Sequence, residues 1–341
     1  MHVPRGRWAP VALLLLLSPT IAELMWGTTT VGNIGGLFIQ IGMYGGGAVV
    51  IREVTRRWGG GVPTLLVLGA TYAMIEEALV EPFWFTPQIL DHPYGVALGV
   101  FWPYAAWNLG YHAVFSITVP ILLVELAFPA WRDRAWLGPT GLGVMAAVFV
   151  LNTTGMAVLW YSVLQQTAFH VPAHVHPAQQ AAALVTIVVL AVVARRMAGL
   201  RISRPDAGTA PAYAWFAVVA AVGAALWFGL LKLAVSAAHL RWLPFPVPLL
   251  AAAGVVTLLV LVLRRWSSGT APEVLAACVG ALAVQMTAGF FLTGLGKPSD
   301  VVGKAVLNVL AVGLLAWSGH ALVRPRSATA NRVRQKDSVR Q

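Results

Sequence analysis

Apolar runs of about 20 residues, separated by short polar or basic clusters, recur from Pro10 to Leu322. Each is long enough to cross about 30 Å of hydrocarbon at a helical rise of about 1.5 Å per residue. The pattern predicts spans at Pro10 to Gly27, Val31 to Ile51, Gly61 to Glu81, Ala105 to Leu126 and Pro139 to Trp160. A second group follows at Gln179 to Val193, Pro211 to Val235, Val247 to Leu263, Pro272 to Leu295 and Val301 to Leu322. The expected fold is all-α: a polytopic transmembrane helix bundle of about ten spans, forming one domain over residues 1–323. Its polar chemistry is concentrated in residues 9–160, residues 179–323 are more uniformly apolar, and the basic, polar tail 324–341 is expected to be disordered. No five-plus-five repeat is visible.

Local chemistry refines this frame. Arg5 and Arg7 precede the first run as in a signal peptide, but no small-x-small cleavage site follows the leucines, which predicts a retained first span. The second span is glycine-dense; Gly32/Gly36 and Gly42/Gly46 have the four-residue spacing that lets helix backbones approach closely.

Composition agrees with the pattern: 58% apolar residues, 10% charged residues and a mean hydropathy of +0.76 exclude an ordinary soluble domain. The formal charge of +11 would suggest nucleic acid in a soluble protein, but here the basic residues sit in clusters between spans and report topology. Of the 23 Lys and Arg residues, only Lys232, Arg241, Lys297 and Lys304 fall on the side opposite to the rest. The positive-inside rule then puts both termini in the cytoplasm, in a plasma-membrane protein whose partner is the lipid bilayer, with no nucleic acid. Cys278 is the only cysteine and lies in an apolar run, so neither a disulfide framework nor a thiolate metal site is expected.

Charge inside these runs is the signal for chemistry. Glu76, Glu77 and Glu81 end the third span, and a carboxylate in hydrocarbon costs a few kcal/mol unless it faces protein or water. Counting along the helices puts Glu23, Asn108 and His112 at a similar depth, with Asn152, Gln285 and Asn308 also in the outer half. Asn108, His112, Ser116 and Pro120 recur every four residues and share one face. Glu76, Glu77, Asn108 and His112 are therefore expected to converge near the outer face as a catalytic set. Either glutamate would act as general base or metal ligand and His112 as acid, base or ligand, with a divalent metal such as zinc the cofactor such a set can bind. His170, His174 and His176 form a weaker metal candidate, because Pro172 and Pro177 break any helical pairing. Glu125 is expected to pair with the nearby Arg132 or Arg134.

The segments SPTIAEL, MYGGGAVVIREVTRRWGGG, GATYAMIEEALVEPFW and GYHAVFSITVPILLVELAFP resemble a family of uncharacterised bacterial multi-pass membrane proteins over the first half of the chain. The paired glutamates also resemble the first motif, Glu-Glu-x-x-x-Arg, of the CPBP, or CAAX-protease-like, intramembrane proteases. Here Glu81 stands at the Arg position, Asn108 stands where a Phe would precede His112, and no later His-x3-Asn/Asp falls on a span. That resemblance implies an analogous Glu/His site. The residues support a membrane-embedded, hydrolase-like enzyme with an outward-facing site; the alternatives are a small-molecule transporter and a non-catalytic accessory or scaffold subunit.

Overall fold

A computed structural model describes residues 8–87, 95–168, 170, 175–199, 213–235, 246–266, 270–293 and 295–323. The loop residues Asp91 and His92, His174, and the tail from Arg324 lie outside the described residues. The helices, in order, are α1 (Trp8–Met25), α2 (Val31–Arg57), α3 (Val62–Val80), α4 (Trp102–Ala127), α5 (Pro139–Thr167) and α6 (Pro177–Met197). They continue as α7 (Tyr213–Val235), α8 (Pro246–Trp266), α9 (Ala271–Leu292) and α10 (Pro298–Val323). Among the described residues nine are long and apolar enough to cross a membrane, whereas α8 is apolar only over Leu249–Leu261. A small antiparallel hairpin, β1 (Val96–Ala97) and β2 (Val100–Phe101), precedes α4.

The largest departures from the sequence reading are at helix ends, with α5 running on to Thr167 and α2 past Ile51. Helix α2 runs through Arg52 and Arg56 to Arg57, so these residues lie on its last turns rather than in a loop. Its start, Val31–Gly36, is a 3-10 turn with no buried residue.

Of the predicted pairs only Gly42 sits at a close approach, where a Cβ would run into Asn152 on α5. Gly36 meets nothing within 4 Å, and a Cβ at Gly46 would make only ordinary contact with Phe149 at 3.5 Å. A Cβ at Gly45 would instead run into the backbone of Leu15 on α1, and one at Gly69 on α3 would lie 2.7 Å from Ala113 Cα on α4. These two crossings draw α1, α2, α3 and α4 together. The core beneath them contains Leu14, Ala48, Val49, Leu65, Ile117, Ile121 and Val124, all fully buried.

Five π-helical turns interrupt the regular hydrogen-bond ladder, at Thr20–Met25, Ile41–Gly45, Glu76–Val80, His112–Thr118 and Trp160–Leu164. A π turn leaves backbone carbonyls without their usual partners, and inside a membrane these must be satisfied by other groups. In α1 the carbonyls receive side chains from three other helices: Tyr111 OH donates to Ala22 O at 2.6 Å, and Gln285 Nε2 to Ile21 O at 2.8 Å. Lys304 Nζ donates to Met25 O and, at 3.0 Å, to Trp26 O. The first and last parts of the chain also pack together through Trp26, Trp107, Phe228, Cys278 and Leu282.

The ends of the bundle sort by charge. Arg52 reaches the backbone oxygens of Trp131, Arg132 and Arg134, and Arg195 lies over the Trp58 ring, so three basic clusters share one end. Lys304, the end of α1 and the hairpin with its Gln179 contact belong to the other.

Candidate functional site

Four of the five π turns carry the polar cluster. Glu23, Tyr44, the Glu76–Glu77 pair and His112 each lie in one of them. Such turns are rare and recur at functional sites, because widening the helix re-aims the side chains it carries. On a regular helix adjacent residues diverge by about 100°. Here Glu76 and Glu77 nevertheless address the same imidazole.

His112 is the centre. Its Nδ1 lies 3.0 Å from Ser116 Oγ and 3.2 Å from Glu76 Oε2, and its Nε2 lies 3.2 Å from Glu77 Oε1. Ser116 is one turn along the same helix, the i, i+4 relation visible in the sequence. Asn108, one turn before His112, stands beside the Glu77 carboxyl. The four predicted residues therefore come together, and all are buried: Glu76 2%, Glu77 5%, Asn108 2% and His112 4% exposed. Glu81 ends its helix and lies outside the His112 contacts. Tyr44, Tyr72 and Tyr111 pack around the imidazole, with ring centroids 6.1, 6.0 and 5.4 Å away.

Several contributors carry no ionic signature in the sequence. Tyr44 directs its hydroxyl at both Glu76 Oε1 and Glu23 Oε1, the latter at 2.6 Å. Glu23 Oε2 in turn accepts from Thr28 at 2.7 Å and Thr29 at 3.0 Å, and Gln40 donates to Thr29. Ser18 holds the helix that carries His112 by donating to Ser116 O at 2.6 Å. A tyrosine in an apolar span reads as ordinary packing; the only available signal was its position in the glycine-dense run between two acidic helices.

Next to Thr29, which Glu23 accepts from, Gly27, Thr30, Asp300 and Lys304 line a gap too tight to admit water at the end of the bundle away from the arginines. The cluster is more enclosed than the expected water-accessible pocket: a hydrogen-bonded series, Thr29–Glu23–Tyr44–Glu76, separates this gap from His112.

The acceptors within the cluster are incompletely matched. Glu76 Oε2, Glu77 Oε2 and Asn108 Oδ1 are buried and receive no hydrogen bond. One donor atom from each of Glu76, Glu77 and His112 falls within 4.8 Å of the others, close enough for this trio to hold a metal ion. The weaker histidine set is arranged differently. His176 Nδ1 accepts from Ala178 N at 3.1 Å as the N-cap of α6, and the exposed His170 lies in the loop before it.

The other ionic cluster also corrects the sequence reading. Glu125 pairs with Arg52 at 3.1 Å and with Arg56, instead of Arg132 or Arg134, because α2 continues far enough to bring its arginines to the end of α4. Glu53 pairs with Arg52 at 2.8 Å and Arg57 at 2.7 Å, and accepts from the backbone of Trp136 and Leu137. Arg52, Glu53 and Glu125 are buried, and nearly every polar atom in this clamp is used. It is a closed structural lock.

Neither a curated protein nor a solved structure matches the chain, and no CPBP protease emerges from these comparisons. The model of an uncharacterized membrane protein family matches residues 12–330, and the chain belongs to that family of multi-pass membrane proteins.

Proposed function

We propose that this chain is a membrane-embedded hydrolase whose site is formed by Glu76, Glu77, His112 and Asn108 and approached from the outer face of the plasma membrane. The observation that carries the reading is the convergence of two carboxyls on the two nitrogens of one buried imidazole, at 3.2 Å each. Buried ionisable groups in a membrane protein are functional by default, since their placement costs stability.

The roles follow from what each group already holds. Both Oε1 and Oε2 of Glu76 are engaged, by Tyr44 and by contact with His112 Nδ1 at 3.2 Å, whereas Glu77 meets His112 through Oε1 alone, so we assign Glu77 as the general base that takes a proton from the attacking water. His112 passes a proton to the leaving group. Its ring is oriented by Ser116 and Glu76. The water's hydroxyl joins the electrophilic centre and its proton balances the leaving group. Asn108 lies beside Glu77, positioned to orient water or a substrate carbonyl.

Approach from one side distinguishes this reading from transport. A transporter needs its central site to open alternately to both faces. Towards the basic end the site is backed by the buried core of Leu65, Ile117, Ile121 and Val124, and then by the Arg52–Glu53–Glu125 lock. The gap beside Thr29 lies at the opposite end. What favours a helix-locking role instead is the near-complete enclosure of the cluster.

Purified protein in liposomes, offered ester, phosphoester and peptide probes, tests the choice. Turnover of at least one class, lowered about 100-fold or more in Glu77→Gln and His112→Ala, is expected from the loss of acid–base catalysis. Equal background rates in all three proteins overturn the hydrolase reading. If those variants are also destabilised, the helix-locking role replaces it.

A further inference from the structure

The geometry points to Glu76, Glu77 and His112 as the ligands of one first-row divalent cation, of which zinc is the natural probe. This inference deepens the reading above and rests on it for the site's place and reaction class; with a metal bound, Glu77 and His112 would serve as ligands and metal-held water would replace their acid–base roles, and the metal itself can be tested without turnover.

The first argument is electrostatic. Two carboxylates lie in the apolar part of a membrane protein, 2% and 5% exposed, and the described residues place no Lys or Arg against them. A dication balances two carboxylates and leaves the imidazole neutral, which is the form that ligates.

The second is hydrogen bonding. Glu76 Oε2 and Glu77 Oε2 are buried and receive no hydrogen bond; Glu76 Oε2 lies 3.2 Å from His112 Nδ1, and the other Glu77 oxygen, Oε1, faces Nε2. Unpaired buried acceptors cost stability, whereas lone pairs directed at a cation do not. The third is spacing. The ligand atoms lie within 4.8 Å of one another, and the 3.2 Å between His112 Nε2 and Glu77 Oε1 matches the roughly 3.3 Å edge of a tetrahedral site with bonds of about 2.0 Å, whereas Glu76 Oε2 contacts Nδ1 and joins the set by turning towards Nε2.

The surroundings have the form of a second shell. Metal-bound histidines ordinarily use their other nitrogen to fix the ring. Ser116 Oγ serves His112 Nδ1 in this way, which leaves Nε2 as the ligand. Tyr44 donates to Glu76 Oε1 and leaves Oε2 for the metal. Three protein ligands of mixed nitrogen and oxygen type leave a fourth position open, the pattern of a catalytic rather than a structural zinc. Water there would stand between Glu77 and Asn108. The donor set contains no thiolate, in keeping with zinc, manganese or iron and against copper(I).

The test uses the full chain in detergent, stripped with chelator, dialysed and titrated with zinc. One zinc per chain is expected, with zinc-edge absorption reporting one imidazole nitrogen among oxygen neighbours. His112→Ala and Glu77→Gln should each weaken zinc binding by more than about 100-fold, and Ser116→Ala by about 10- to 100-fold, the effect of losing a second-shell partner. Circular dichroism and thermal melting identify variants that still fold, and Ser116→Ala keeps the test decisive if either ligand variant does not. Zinc bound equally well by all three variants, or less than one zinc per chain in the folded wild type, overturns the proposal. Probe turnover in metal-free protein overturns the metal while keeping the hydrolase. Site-dependent zinc binding without turnover of any probe supports the metal and removes the hydrolase.

Discussion

His112 meets Ser116 and Glu76 through one ring nitrogen and Glu77 through the other, so the cluster turns on a single imidazole. It and the carboxyls stand out in the sequence as ionisable groups in apolar runs. Their partners do not. Tyr44 bridges Glu23 and Glu76 through a single hydroxyl, and nothing in its local pattern distinguishes it from a packing aromatic. Glu125 was assigned to the wrong arginines because nearness in sequence says little about which side chains a neighbouring helix presents. Two outcomes belong to this scale. Tyr44→Phe should destabilise the protein by about 1–3 kcal/mol, the cost of leaving buried acceptors without their donor; an unchanged melting temperature in detergent would separate Tyr44 from the network. Glu125→Ala should cost about 3–5 kcal/mol, since it strands the buried Arg52 charge; a loss below about 0.5 kcal/mol would show that the lock contributes nothing.

The helices themselves were read closely from hydropathy, with ends within a few residues for most spans, because a run that crosses hydrocarbon must be apolar along its length. What escaped was their internal geometry. A π turn needs no distinctive residue, so none of the five could be read from composition, yet four carry the cluster, and one of those four exposes the α1 carbonyls that Tyr111, Gln285 and Lys304 tie down. Glycine spacing likewise indicated that α2 packs closely without revealing which glycines face a neighbour. Gly42 does face a neighbour, the Asn152 side chain, and the backbone-to-backbone crossings fall at Gly45 and Gly69. Gly45→Leu and Gly69→Leu should therefore fold poorly, with losses of about 3 kcal/mol or more from forced separation of backbones, while Gly36→Leu should express and melt like the wild type. Normal melting of the first two variants in a detergent-stability assay would contradict the crossings described.

At the scale of the whole molecule, the bundle has a closed basic end and a polar cluster displaced towards the other. The positive-inside rule predicts that the basic end is cytoplasmic. Reporter fusions after Gln341 and beside His170 should accordingly read inside and outside; the same side for both would break the ten-span topology. Sequence made the charge bias visible, but it could not reveal that the arginines close one end by locking α2 to α4, because that lock depends on Glu53 and on the carbonyls of Trp131, Arg132 and Arg134. The most direct test of a one-sided site is labelling of Asn108→Cys in a Cys278→Ala background, using a membrane-impermeant thiol reagent in vesicles of defined orientation. The account predicts slow reaction from the outer face alone, with Ile121→Cys unreactive from either face. Reaction of Asn108→Cys from the inner face, or from neither, would contradict it.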